Sequence, residues 1–504
     1  MVVSMFEVLC ACVVILYLLY HYLTSDFAYW TSRGVNGPKP IPFFGNIANF
    51  MLGNNSMGGF YKEIYDRYPN DAVVGIFLRG SPALLLRDPD YIKQVLIKDF
   101  TSFANRQGTR DSVYEKADPM SMHLFRLDAV RWRPLRTRLS PTFTSGKLKD
   151  MFHLLLNCSD HFEKYLNNIV SKNSIVECRN LTSKFTIDVI GSCAFGLEMN
   201  TLKEEDNQFY QIGRKIFRST PKVMLRTMLR EVPWLYKRFG HILSDLDVTK
   251  FITDITRDTI EYRKRNNVRR HDFIDTLIEL KDNPDKLGVN NVTDEFIAAQ
   301  AFVFFAAGFE TSSSTMSFAL YELAQNQSIQ DKVRNEIKEV LDSTGGEILY
   351  ESIKMMTYLN MIFRETLRKY PIVMFLTRKA IKDYTFEGTK ITLRKKQEVI
   401  IPVYAIQNDP NIYPDPEVFD PERFSAENVK QRNPMYHLPF GDGPRNCIGA
   451  RFAINQTMLG LIKVLMNYKI EVCEKTQIPL VYTPMSTLLL QSTHGIYVKL
   501  TKLS

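Results

Sequence analysis

The pattern of apolar and polar positions divides the chain before any chemistry is considered. From Val8 to Tyr20 nearly every side chain is apolar, and with Tyr22 and Leu23 the run approaches the ~20 residues that cross a bilayer as a helix. Only Ser4 and Glu7 interrupt it on the N-terminal side. No Lys or Arg precedes the run and no small-x-small site follows before Asp26, which favours a retained anchor over a cleaved signal. The first basic residues, Arg33 and Lys39, follow it, so the positive-inside rule leaves the body in the cytosol. Pro38, Pro40 and Pro42 then predict a stiff extended strap. The expected organisation is an anchor over 1–24, a Pro-rich linker over 25–49 and a single globular body over 50–504.

Within the body the 3.6-residue period predicts helices over 57–67, 89–98, 148–170, 181–195, 247–266, 293–325, 329–343, 353–370 and 448–468. Short β-branched stretches bounded by Gly, Pro or Asp predict strands over 73–78, 83–86, 399–404, 488–491 and 495–499. The fold class is mainly α with small β-sheets.

Composition narrows this picture only a little. The 504 residues are 45% hydrophobic and 24% charged, enough for a large core. Seven scattered cysteines show no disulfide framework and no zinc-ligand spacing, which suits a reducing compartment. A net charge of +9 is too diffuse for a nucleic-acid stripe, so no nucleic-acid partner is expected. The one local basic cluster is 131–138.

Four features carry candidate chemistry. Cys447 lies in the glycine- and proline-bounded loop Pro439-Phe440-Gly441-Asp442-Gly443-Pro444-Arg445-Asn446-Cys447-Ile448-Gly449, just before a predicted helix. Helix N-terminal N–H groups would stabilise a thiolate there and lower its pKa, and the glycines would let a flat cofactor approach the backbone. In the helix over 293–325, capped by Thr293, Gly308 permits a local widening, and Glu310 and Thr311 interrupt an apolar surround. A threonine hydroxyl bonded to its own backbone would explain that pair equally well. Glu365 and Arg368 share a helix face, a spacing that by itself usually means a surface salt bridge. Trp132 and Arg136 lie four apart, with Pro134 suited to the first turn of a helix.

Taken together these motifs resemble the cytochrome P450 family. The cysteine loop matches its haem-binding pattern at Phe440, Gly443, Arg445, Cys447 and Gly449. The resemblance implies haem b (iron protoporphyrin IX) with Cys447 as the axial ligand of the iron, and Trp132, Arg136, Arg445, Arg378 and Arg106 at the propionates. It implies that Thr311 and Glu310 deliver protons, with Ala307 and Gly308 leaving room for O₂, and that Glu365, Arg368 and Arg423 form a buried structural network. The implied reaction inserts one atom of O₂ into a small apolar substrate. NADPH electrons would arrive through the flavins of a separate NADPH–cytochrome reductase, with cytochrome b5 as a second partner, at the endoplasmic reticulum membrane. By position, Phe302, Phe305, Ala306, Phe309, Val373, Phe375 and Leu488 would line the pocket, with contributions from 106–125, 208–240 and 486–489. In detail the chain looks most like insect microsomal members that oxidise plant toxins and insecticides, on Phe304 to Ser312 and on Phe100 with Phe103.

Overall fold

The computed structural model describes all residues except 1–4, 109–114, 116, 205–206, 218–221, 223–224, 227–228, 230–232, 288–291, 485 and 504. The first element, α1 (Met5–Thr24), has no buried residue, whereas every other principal helix buries a face. Its exposed surface is apolar apart from a few residues such as Glu7 and His21, and the helix is long and apolar enough to cross a membrane.

The segment expected as a linker is part of the packed body. Tyr29, Trp30, Val35 and Ile47 are buried in the core, and the Trp30 indole donates to the Ile76 carbonyl at 3.0 Å. A Cβ on Gly75 would overlap the Trp30 ring, and one on Gly37 would overlap the Gly75 carbonyl, so both glycines are needed for this close approach. The boundary at residue 50 therefore falls inside the body, because the Asn36 carbonyl accepts from the Gly75 amide and the Asn46 amide donates to the Phe77 carbonyl, at 2.8 Å each.

After α2 (Met57–Arg67) the chain forms the hairpin β1 (Val73–Leu78) and β2 (Ser81–Leu86). The helical region follows: α3 (Ala129–Leu139), α4 (Phe152–Lys172), α5 (Cys178–Ile190) after the short β3 (Ile175–Glu177), α6 (Leu246–Arg265), α7 (Asp294–Gln325), α8 (Gln327–Ser343) and α9 (Thr357–Lys369). Then come β4 (Leu376–Lys379), β5 (Tyr384–Thr385), β6 (Thr392–Leu393) and β7 (Glu398–Ile401), and finally α10 (Ala450–Asn467), β8 (Tyr468–Glu471) and β9 (Tyr497–Lys502). One sheet has the order β1-β2-β7-β4, with only β2 and β7 parallel; β3-β9-β8 and β5-β6 are separate and antiparallel.

The predicted strand over 488–491 is absent; Leu489 makes only an isolated bridge to Val373. Pro134 sits in the middle of α3 and not in its first turn, because Asp128 caps the helix through the Val130 and Arg131 amides.

At 32 residues α7 is about 48 Å long and crosses the body. It is long and apolar enough to span a membrane, yet mostly buried in protein, so it is the core helix. Its run of hydroxyl residues is accommodated by α5: the Thr182 hydroxyl donates to the Ser313 carbonyl at 2.9 Å and Thr186 to that of Phe309 at 3.1 Å. Gly308 sets the separation of the two helices, since a Cβ there would overlap Ile190. The widening that this glycine would permit does not occur, and α7 is α-helical throughout. Its small size is used for packing.

Candidate active site

The cysteine loop is folded by its own glycines. Gly441 and Gly443 have φ of 66° and 73°, and a Cβ at Gly443 would overlap the Leu96 carbonyl. The Cys447 amide donates to the Phe440 carbonyl at 2.9 Å, which closes the loop. Cys447 is accessible at the loop surface although protein crowds around it. Burial pushes its thiol up, opposed by the Gly449 N–H and by Arg136 and Arg106. In the haem-free chain burial therefore works against the nearby donors, and α10 itself begins three residues on, at Ala450. A Cβ on Gly449 would meet nothing within 4 Å, so that side of the loop is open to a flat group.

The loop is fastened from behind by a residue that the motifs did not single out. Gln407, fully buried, accepts from the Leu438 amide at 3.0 Å and donates to the Leu367 carbonyl at 2.8 Å. It joins the approach to the cysteine loop to the end of α9. Phe440 stacks with Phe363 of α9 at 6.3 Å between centroids. On the same helix Arg368 donates twice to Glu365, at 2.8 Å each, and once to the Gln407 carbonyl at 3.1 Å. Both side chains are fully buried, so the pair is not a surface salt bridge. Arg423 joins it more loosely, 3.6 Å from Glu365.

Around Cys447 the structure collects the predicted arginines. Arg136 donates to the carbonyl and side-chain oxygens of Asn446 at 3.0 and 2.9 Å, clamping the residue beside the thiol. Arg106 donates to the Arg445 carbonyl. Arg445 donates to the Leu127 carbonyl at 2.8 Å and lies over the Trp132 ring, 4.3 Å from its centroid. Arg378, brought in by β4, donates to the Thr377 carbonyl at 2.9 Å.

Burial lowers Arg378 to about 10, and burial together with Arg378 lowers Arg445 to about 9. Arg106 is held well below its usual value by burial, then by Arg378 and Arg445. Asp128 is the acid that offsets this at Arg445. The Nε of Arg378 and the Nε and Nη1 of Arg445 are buried without a hydrogen-bond partner. Buried guanidinium groups that repel one another and keep unused donors call for an anion. A porphyrin with two carboxylates satisfies that demand bidentately, and the accessible thiol is a suitable iron ligand. The residues present therefore fit a haem.

On α7, Val303, Ala307 and Thr311 recur every four residues and form its accessible stripe; Ala307 is exposed and the other two half-buried. The Thr311 hydroxyl donates to the Ala307 carbonyl at 2.7 Å. Glu310 faces elsewhere: it is buried and ion-paired to Arg179 of α5, whose side chain is 38% exposed. Burial raises the pKa of Glu310, opposed by Arg179. Arg179, like Gln407, lies outside any short motif; only the fold puts it there.

The expected pocket is only partly brought together. Phe305 and Phe309 are fully buried and pack on Phe195, Phe209 and Phe217, about 200° round the helix from the Ala307 stripe. Phe375 is buried edge-on against Tyr61 at 5.0 Å, and Ala306 is also buried. These four are buried against protein in the haem-free chain. Phe302 and Val373 remain half-buried and Leu488 is exposed. Residues 109–114 and 116 and much of 218–232 lie outside the described residues.

Comparison with known proteins agrees with this geometry. The family model described as Cytochrome P450 matches residues 35–500. The chain is 43% identical over 499 residues to "Cytochrome P450 6a2" of Drosophila melanogaster, covering 96% of this chain and 97% of that protein. It is 41% identical over 500 residues to "Cytochrome P450 6B1" of Papilio polyxenes, with the same coverage. It is 40% identical over 476 residues to "Cytochrome P450 6A1" of Musca domestica, covering 92% of each. With a match along nearly its whole length and residues that fit a haem, the chain belongs to the cytochrome P450 family of haem-thiolate monooxygenases.

Proposed function

We propose that this chain oxidises small apolar xenobiotics, such as plant allelochemicals and insecticides, on the cytosolic face of the endoplasmic reticulum, with electrons from a separate NADPH–cytochrome reductase. The observation that carries the reading is the set of buried, underused guanidinium donors around an accessible thiol at Cys447. Cys447 would hold the iron, and Arg106, Arg378, Arg445 and Trp132 would orient the propionates. When bound, the haem supplies the redox-active iron at which O₂ is reduced, and thiolate electron donation favours O–O cleavage.

The chain's own residues then manage protons and substrate. The Thr311 hydroxyl, held against the Ala307 carbonyl, positions a proton at its Oγ on the accessible stripe of α7. Glu310 is buried against the partly exposed Arg179, whose positive charge favours its ionised form and so keeps the carboxylate able to accept a proton. Phe302, Val373 and Leu488 present apolar surface to a guest, and the small Ala307 leaves space above the stripe.

The test is reconstitution with reductase and a panel of plant toxins, insecticides, hormones and fatty acids. Product formation from the first two groups, dependent on NADPH, is expected. Turnover confined to hormones or lipids would overturn the substrate assignment. Cys447→Ser should abolish the reduced carbon-monoxide absorbance of a thiolate ligand, and its survival would overturn the ligand assignment.

A further inference from the structure

The amide of Gln300 ties α7 to the chain that passes over it. Gln300 precedes Val303 by three residues, on the same side of the helix as the accessible stripe, and is fully buried. Its Nε2 donates to the Met122 carbonyl at 2.8 Å and to the Phe296 carbonyl of its own helix at 2.9 Å. Its Oε1 accepts from the Leu124 amide at 2.9 Å. Two carbonyls on one side and an N–H on the other fix which end of the amide is oxygen.

Met122 and Leu124 lie between the short turn Pro119–Ser121 and α3, in a stretch with neither helix nor strand. It closes its own turn through the Arg126 and Leu127 amides, which donate to the His123 carbonyl at 2.9 and 3.2 Å. Gln300 supplies the donor and the acceptor that a neighbouring strand would otherwise provide.

This stretch also carries aromatic rings to the borders of the site. The His123 ring lies 6.1 Å from that of Phe302. Phe125 lies beneath the Arg106 guanidinium, 4.2 Å from the ring centroid, and Arg106 donates to the Arg445 carbonyl. The stretch is thus fixed to α7 at one point and to the arginines around Cys447 at another.

We propose that Gln300 is a positioning residue for the substrate cavity: by holding Met122 and Leu124 against α7 it fixes the wall formed by His123 and Phe302. The proposal rests on Phe302 facing the guest. Without the amide, the Leu124 N–H and the Met122 carbonyl recover hydrogen bonds only by moving away from α7 into water. Seven residues, about 10 Å of helix, separate Gln300 from Ala307. Only a guest that extends two turns from Ala307 meets this wall, and small ligands are indifferent to it.

The test uses the full haem-loaded chain with two iron ligands, imidazole and its biphenylmethyl derivative, whose binding is read from the haem absorbance. Hydrogen exchange reports the Leu124 amide. That amide should exchange slowly in the native chain and faster after Gln300→Met. The same change should weaken the biphenylmethyl ligand by about two- to tenfold, the worth of an aromatic contact, and leave imidazole binding unaltered. Phe302→Ala should weaken the long ligand to a similar extent, and the double variant should lose no more, because both changes act through one wall. If Gln300→Met does not load haem, Gln300→Asn, one methylene too short to bridge, takes its place. Additive losses, equal losses for both ligands, or rapid Leu124 exchange in the native chain would overturn the positioning role. A loss with Phe302→Ala and none with Gln300→Met would overturn that role alone. No loss with Phe302→Ala would overturn the pocket reading, and the role of Gln300 with it.

Discussion

Replacing Arg378 by methionine separates the stability of the empty chain from its hold on the cofactor, and the two should move in opposite directions. The guanidinium is 2% exposed and its Nε has no partner. Burial lowers its pKa from 12.5 to about 10. At 1.36 kcal/mol for each pKa unit, that shift corresponds to about 3 kcal/mol against the charged form in the haem-free chain. Methionine has similar length and no charge to desolvate, so the haem-free protein should gain on the order of 1–3 kcal/mol, after allowance for imperfect repacking. A propionate paired with the buried cation would reverse the sign, because loss of one partner then leaves the other uncompensated, at about 3–5 kcal/mol. The assay is urea unfolding of haem-free and haem-loaded protein, with the rate of haem transfer to an apo-globin acceptor. Raised stability without haem and transfer faster by a factor of a hundred or more are expected. A destabilised haem-free chain, or unchanged transfer, would refute the assignment of Arg378 to a bound anion.

The other predictions test α7. Gly308→Ala places a methyl group against Ile190 and should cost about 1–3 kcal/mol in unfolding free energy, with rescue by a second Ile190→Ala change; no loss would mean the helices are not in close contact there. Phe305→Ala should cost about 3–5 kcal/mol in stability and leave substrate ranking unaltered, whereas Phe302→Ala should reorder it; the reverse outcome would return Phe305 to the pocket. Arg179→Met removes the charge that opposes the upward shift of Glu310. The Glu310 pKa then rises further, and if the ionised carboxylate relays protons, coupled turnover should be lost at a higher pH as acidity increases. An acid limb that stays in place would exclude Glu310 from the relay. For stability the sign is opposite, because a carboxyl whose folded pKa is raised loses its contribution as pH rises through that value.

Local patterns made most of the elements and the glycine-built fold of the cysteine loop legible. The predicted 57–67 helix coincides with Met57–Arg67, and the Thr293 cap accepts from the Phe296 amide at 3.2 Å as its position implied. Glycine positions, caps and apolar period are local, so a sequence displays them. What was not legible depends on partners far apart in the chain. Gln407 bonds Leu438 and Leu367, and Arg179 reaches Glu310 across 131 positions. The burial of Phe305 was not legible for the same reason. An all-apolar helix does not indicate which of its faces meets protein, and only packing against α5 and Phe209 decides that Phe305 is core. Pro134 misled because a proline is usually read as a start of helix, while Asp128 had already supplied one.

The stripe Val303, Ala307, Thr311 has a consequence for how new specificities arise. In the middle of the 32-residue α7, these three with the half-buried Phe302, Phe304 and Gly308 are the accessible positions, and one of the stripe is assigned to proton handling. Apart from Phe302 and Gln300, variation along this helix would disturb the core or the relay before it altered the guest. Diversification toward new compounds therefore falls mainly to the connecting segments, such as those carrying Val373 and Leu488, which can change without shifting the reaction centre.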